Sequence, residues 1–221
     1  MPPVLLVVGE VADGTLSRLS AEVATLARGL AAEAGGTVAG LVVAPAPAGP
    51  AAELARYLPQ VHALAADAIA SEVPGPRLAA AVLERIGADG VTHVLLGATA
   101  DGRDAAGVLV AVTGWGLLAN ASGASWADDG PEIEGAVFGG RTIVRSRLTG
   151  PAGIVTVRPG SVDASPAPAG GEVIPGAAPA PSLPTVRVVE RVEEAGAEVA
   201  LEDAKVVVVG GRGVGGPDGF G

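Results

Sequence analysis

The sequence predicts an α/β fold: a mostly parallel sheet with flanking helices, followed by a β-meander region and the start of a second α/β domain. Three observations carry this. Short apolar runs such as Val4–Val8 and Val38–Val43 read as strands buried on both faces. Stretches with apolar residues at spacings of three and four alternate with them, which is the grammar of strand–helix–strand units joined by right-handed crossovers. After Trp115 that alternation gives way to extended segments separated by Gly-rich turns.

The elements follow in order. Val4–Val8 is the first strand, and Leu16, Leu19, Val23, Leu26 and Leu30 form one apolar stripe of the first helix, with Thr15 or Ser17 as its cap and Gly35-Gly36 as its stop. Val38–Val43 is the second strand and residues 44–50 a Pro/Ala/Gly loop. A short helix is expected at Ala51–Leu58, a strand at Val61–Ala65, a helix at Arg77–Ile86, a strand at Val91–Leu96 and a helix over Ala100–Val112. Glu132–Phe138, Arg141–Leu148 and Gly153–Arg158 read as strands joined by tight turns, and the imperfect alternation in Thr142–Arg147 suits an edge with one wet face. Six prolines (166, 168, 175, 179, 181 and 184) mark residues 161–184 as an excursion without a core of its own. Thr185–Val192 alternates and is expected to return as a strand. The domain organisation expected is therefore 1–160 as an N-terminal α/β scaffold, 161–184 as the excursion, 185–200 as a strand and acidic segment, and 201–221 as the opening of a further domain. Lys205–Val209 there reads as a buried parallel strand running into the turn Gly210-Gly211-Arg212-Gly213.

Composition excludes several functions. There is no cysteine, so disulfides, thiolate metal sites and iron–sulfur ligation are out, and two histidines cannot make a histidine metal cluster. A net charge of -10, with 14 scattered bases, disfavours nucleic acid, and five aromatics are too few for a stacking platform. The Met1-Pro2-Pro3 start lacks a basic leader and no apolar run nears the ~20 residues that span a bilayer, so a cytoplasmic protein without membrane insertion is expected.

Candidate sites are few. The turn Gly97–Asp104 between a strand and a helix suits an anion at a helix N-terminus. Its plainer reading has Asp101 capping the helix and Asp104 complementing the dipole, and no P-loop lysine accompanies the turn. His62 and His93 fall in strands without a Ser/Asp set and read as structural. Asp128-Asp129 and Glu132/Glu134 sit in a turn region and read as solvated acids. Gly211-Arg212-Gly213 offers close backbone approach and a planar guanidinium for phosphate or flavin edges, against the alternative of a flexible turn.

Leu201 and Ala204–Phe220 resemble the segment that opens the flavin domain of electron-transfer flavoprotein alpha subunits. Ala98–Asp104 through Leu117–Ala121 is similar to that family's T-x-x-G-R-D helix and following strand, and Phe138–Gly140 through Val155–Gly160 to its central hairpin region. The resemblance implies an adenine-nucleotide-hydrolase-like scaffold that packs against a beta subunit, and one FAD contacted by Arg212 with its flanking Gly211 and Gly213. It further implies an electron carrier rather than an enzyme, with no catalytic residue and no metal. Electrons would pass from acyl-CoA or other dehydrogenases of fatty acid beta-oxidation to a downstream quinone oxidoreductase. It also implies that the flavin domain is truncated here, so FAD is expected to be absent or incompletely held, and that residues 205–221 pair with an available edge or stay poorly ordered. The competing expectations are an independent nucleotide-binding α/β domain using the Thr99–Arg103 turn, and a module that binds protein alone.

Overall fold

A computed structural model describes residues 1–128, 130–190, 206–216 and 219. The chain forms two compact units, Met1–Val188 and Val189–Gly221. The first opens with β1 (Val4–Gly9), a small hairpin of β2 (Val11–Ala12) and β3 (Thr15–Leu16), and helix α1 (Arg18–Glu33). Next come β4 (Thr37–Ala44), α2 (Ala48–Leu54), β5 (Gln60–Ala65), α3 (Gly75–Asp89), β6 (His93–Gly97), α4 (Ala100–Thr113) and β7 (Gly116–Ala121). The meander is β8 (Gly123–Ala127), β9 (Gly130–Val137) and β10 (Thr142–Arg147). Then β11 (Gly153–Val157) and β12 (Glu172–Ala177) rejoin the main sheet.

The main sheet is parallel, with strand order β12-β5-β4-β1-β6-β11-β7. Alternate residues of β1 feed two cores. Leu5 and Val7 pack with α1 and α2 residues such as Val23, Leu30 and Leu54, whereas Leu6 and Val8 pack with Leu78 and Val82 of α3 and Leu109 of α4. A strand with both faces covered has to be apolar throughout, which is why these runs lack the alternation of a half-wet strand. Chain direction explains which helices share a face. From β1 the chain steps one way through β4 and β5, then crosses back to β6 on the other side of β1. Right-handed crossovers therefore put α1 and α2 on one face and α3 and α4 on the other. The reversal falls between β1 and β6.

The helix signals operate largely as read. Ser17 caps α1 by accepting from Ser20 N, and α3 and α4 both stop on left-handed glycines, Gly90 (φ 70°) and Gly114 (φ 69°). Several expectations need correction. The short helix lies at Ala48–Leu54 rather than 51–58, since Pro47 and Pro50 fit its first turn. β11 is no meander strand: it inserts in parallel between β6 and β7, fully buried, because Gly153–Val157 is apolar on both faces. The excursion 161–184 contains β12, an edge strand whose Pro175 and Gly176 are tolerated there because one side of its ladder is open. Residues 185–190 make only a single bridge, Glu72 with Arg187, in place of the expected strand. Before β12 the chain is tied down by backbone bonds from Ala167 N to Arg56 O and Gly171 N to Ala55 O, and by Arg28, which donates to Tyr57 O and Ser165 O, each at 2.8 Å.

β10 is exposed along both faces, not on one alone, because it is the outer strand of a three-stranded sheet whose other edge, β8, lies toward α1. In the second unit Val206–Val209 form no strand, and they are 81, 47, 77 and 81% exposed. A strand apolar on both faces requires neighbouring strands on its two edges, and none is present among the described residues of that unit. Lys205 and the acidic stretch 191–200 lie outside the described residues.

Candidate functional site

Open parallel sheets bind ligands where the strand order reverses, beyond the carboxyl ends of the strands. Here that place lies between Glu10, just after β1, and Ala98–Thr99, just after β6. Thr99 caps α4: its Oγ1 accepts from Gly102 N at 2.9 Å and its hydroxyl donates to Glu10 Oε2 at 2.9 Å. Thr99 therefore has the capping role expected of Asp101. Its extended backbone (φ -78°, ψ 178°) and short hydroxyl reach the N–H three residues on, whereas Asp101 already lies inside the first turn. Asp104 likewise does more than complement the dipole. Its Oδ2 accepts from Gly75 N at 2.9 Å and ties the start of α3 to α4. Arg103 is exposed and folds back, donating from Nε to Thr99 O at 3.0 Å.

Glycines keep this junction tight. A Cβ on Gly102 would collide with the carbonyl oxygen of Gly97, and one on Gly75 with Asp104 Oδ2. The two glycines thus let α4 dock on the end of β6 and α3 dock on α4. Glu10 itself is held by its backbone, its N–H donating to Ser20 Oγ at 2.8 Å and its carbonyl accepting from Ser17 N at 2.9 Å. Burial raises its pKa above the ordinary carboxylate value; the Thr99 bond opposes this, and the nearby Asp101 charge adds to it.

The histidines are buried, as their places in strands implied. His93 is 2% exposed, its Nδ1 is 3.0 Å from Thr92 Oγ1, and its ring meets Trp126 edge-on at 5.1 Å. Burial pushes its pKa down to about 4, so it is neutral at physiological pH. The ring borders a cavity of about 710 Å³ bounded by Pro2, Gly35, Trp126 and the loop Leu148–Pro151, at the opposite end of the sheet from Glu10. His62 lies 3.7 Å from Asp89, and its pKa is lowered by burial first and Arg85 second, against Asp89 and Glu84. Two acids of the meander are ion-pair partners, Asp128 with Arg147 at 3.0 Å and Glu134 with Arg145 at 2.9 Å, and Glu132 is half-buried on β9. Asp129 lies outside the described residues. Among the described residues no group of acids and histidines is placed to hold a metal ion, and no helix is long and apolar enough to cross a membrane.

Arg212, Gly211 and Gly213 fall in the second unit, at a short 3-10 turn over Arg212–Val214, and all three are exposed. An open guanidinium flanked by residues without side chains suits the anionic or carbonyl edge of a flavin nucleotide in donor chemistry. The signal missed in the sequence lies in the meander. Phe138 at the hairpin tip is 80% exposed, and Ile143 and Val144 on β10 are 57 and 42% exposed. Arg141, Arg145 and Arg147 stand on the same hairpin. An aromatic residue in a Gly-Gly turn, beside an apolar and arginine-bearing strand, is the available clue.

A doubly wound parallel sheet with helices on both faces, carrying a three-stranded antiparallel sheet whose outer strand is exposed, defines an α/β scaffold. The family model described as "Electron transfer flavoprotein domain" matches residues 5–183. The chain is 33% identical over 220 residues to the electron transfer flavoprotein subunit alpha of Mycobacterium leprae (strain TN), which takes in 97% of this chain and 66% of that protein. It is also 33% identical over 221 residues to the same-named protein of Mycobacterium tuberculosis (strains CDC 1551 / Oshkosh and H37Rv), with 98 and 66% covered. The chain thus spans 66% of the length of these relatives. It belongs to the electron transfer flavoprotein family, the one its motifs resemble.

Proposed function

We propose that this chain acts as the alpha-type subunit of an electron transfer flavoprotein, an electron carrier whose scaffold docks a beta subunit through the β9–β10 hairpin. The observation that carries the docking reading is the composition of that hairpin. Phe138, Ile143 and Val144 are exposed together with three arginines on a chain whose net charge is -10. Aromatic and arginine side chains are enriched at the energetic centres of protein interfaces, and contiguous exposed apolar side chains mark interaction surfaces.

Within this reading residues 1–160 are the scaffold, 161–184 strap it, 185–200 link it onward, and 201–221 begin the flavin-binding part. FAD, when bound, supplies the redox chemistry. The role of this chain is to hold it: Arg212 would stabilise negative charge on the cofactor, and Gly211 and Gly213 would let it approach the backbone. Electrons would come from acyl-CoA or other dehydrogenases and leave to a quinone oxidoreductase, in the cytoplasm.

Titration of the chain with an electron transfer flavoprotein beta subunit tests the docking reading. A 1:1 complex is expected. Phe138→Ser combined with Ile143→Asp should weaken it by roughly 30-fold or more, the equivalent of one hot spot of about 2 kcal/mol, with the fold intact because both side chains are exposed. Equal affinity for the double variant would refute the assignment of this surface. In the α/β complex, Arg212→Ala should lose FAD on dialysis faster than the wild type, and undiminished retention would refute the role of Arg212.

A further inference from the structure

We propose that Phe138 is the anchor of the docking surface: the turn between β9 and β10 holds its ring out, against the conformational preference of the residue, for an apolar pocket on the partner protein. The inference rests on the docking reading above and adds to it the residue that leads and the kind of pocket that receives it.

The conformation of the turn is the first observation. Val137 and Thr142 are the last paired residues of β9 and β10, and the Gly140 N–H donates to the Val137 carbonyl at 3.2 Å, closing a β-turn with Phe138 and Gly139 at its centre. Both central residues have positive φ, 52° and 68°, and Gly140 follows at 85°. Positive φ at both central positions is the type I′ pattern, whose twist matches that of the flanking strands and which Asn-Gly, Asp-Gly and Gly-Gly fill best. A bulky side chain is unfavourable there, because the left-handed region brings Cβ against the following carbonyl oxygen. Gly139 and Gly140 suit the turn, and Phe138 opposes it.

Nothing in the free chain repays that strain. The Phe138 ring is 80% exposed, so it gains little packing where it stands. Among the described residues the other non-glycine positions with positive φ are Asp13, Asn120 and Asp128, whose short polar side chains tolerate the left-handed region. Phe138 is the one bulky residue placed there. Strained residues persist where function requires the geometry, and an exposed aromatic side chain held in one direction is the form a pre-organised interface anchor takes.

The surroundings describe the pocket. Val137, Ile143 and Val144 are 37, 57 and 42% exposed and continue the apolar surface from the tip. Arg145 and Arg147 are engaged by Glu134 and Asp128, whereas Arg141 at the tip is exposed and makes no ion pair with the described residues. The complement is a protein cleft with apolar walls for a phenyl ring and a carboxylate at its rim for Arg141. A second copy of this chain fits less well, since two chains of net charge -10 repel each other.

Phe138→Asn and Ile143→Asp separate the anchor from the surface around it, read by thermal denaturation of the free chain and by calorimetric titration with an electron transfer flavoprotein beta subunit. Phe138→Asn puts a residue suited to the turn in place of the ring. Its melting temperature should rise by about 2–4 °C, while its affinity for the beta subunit should fall roughly tenfold or more. A Phe138→Asn chain that melts lower than wild type would overturn the proposal, because the ring would then be serving the fold. If Ile143→Asp weakens the complex and Phe138→Asn does not, the docking reading stands and the anchor is refuted; a wild-type chain that forms no complex refutes both. A free chain that sediments as a dimer and is dispersed by Phe138→Asn would put the pocket on a second copy and overturn the partner assigned here.

Discussion

Two glycines of α4, five residues apart, should respond in opposite directions to the same substitution. Gly102 faces the sheet, and a Cβ there would run into the Gly97 carbonyl and lie 3.1 Å from Thr99 Oγ1; a Cβ on Gly107 meets nothing within 4 Å. In both cases alanine brings a helix-propensity gain of about 1 kcal/mol. At Gly107 that gain stands alone, and Gly107→Ala should raise the melting temperature by about 2–4 °C for a chain of this size. At Gly102 it is opposed by overpacking against backbone, which cannot swing aside as a side chain can, at the upper end of the usual 1–3 kcal/mol. The net is a loss of about 2 kcal/mol, or a fall of about 4–8 °C. Moving α4 away to relieve the contact would also lengthen the Thr99–Glu10 bond and the Asp104–Gly75 tie, so the effect should spread to the start of α3. Thermal denaturation followed by circular dichroism, with hydrogen exchange at Gly75, gives both readouts. A Gly102→Ala chain as stable as Gly107→Ala would refute the claim that Gly102 is required by close docking of α4 on β6.

Further predictions concern the acid limb and the strap. The folded pKa of His93 is lowered to about 4 from an ordinary value near 6.5, so the neutral form is the one the fold favours. The stability this represents is present above about pH 6.5 and is lost as pH falls toward 4, at a slope of up to one proton, about 1.4 kcal/mol per pH unit. Urea titrations at pH 7, 6, 5 and 4, with Trp126 fluorescence as probe, should show that loss; His93→Phe should flatten it, and an unchanged slope would count against the assignment. Arg28→Ala removes both bonds that Arg28 makes, to Tyr57 O and Ser165 O. It should cost about 1–3 kcal/mol and speed proteolysis between residues 161 and 171, whereas Arg56→Ala should do neither, because Arg56 meets residues 161–171 through its backbone carbonyl alone. Equal protease resistance in the Arg28 variant would refute the strapping role.

Legibility in the sequence followed from how local each determinant is. The runs Val4–Val8 and Val38–Val43 announced buried strands because residues covered on both faces are apolar in succession, and the Leu16–Leu30 stripe announced a helix because one face meets the core. The placement of β11 was not legible. Gly153–Val157 is as apolar as the other central strands, but its insertion between β6 and β7 depends on a vacancy left by a crossover made forty residues earlier. β12 was hidden because Pro175 and a Pro/Ala/Gly setting argue against a strand everywhere except at an edge. The valine run 206–209 shows the converse: its composition states a preference for a buried strand, but composition cannot say whether neighbouring strands are there to satisfy it, and among the described residues of that unit there are none. The family motif around Thr99–Asp104 was visible as a motif. Its work is divided among a cap, a docking glycine and a tie between helices, and Glu10, ninety residues away in sequence, escaped notice because only the sheet's strand order brings it there.

Hydrogen exchange on the free and beta-bound chain tests most directly the proposed docking of the scaffold on a beta subunit through the meander. The prediction is slowed exchange concentrated in residues 137–147, covering the hairpin tip and β10, with residues 97–103 beside Glu10 unchanged. Protection centred on the crevice instead, or a complex that leaves residues 137–147 exchanging at their free rate, would contradict it.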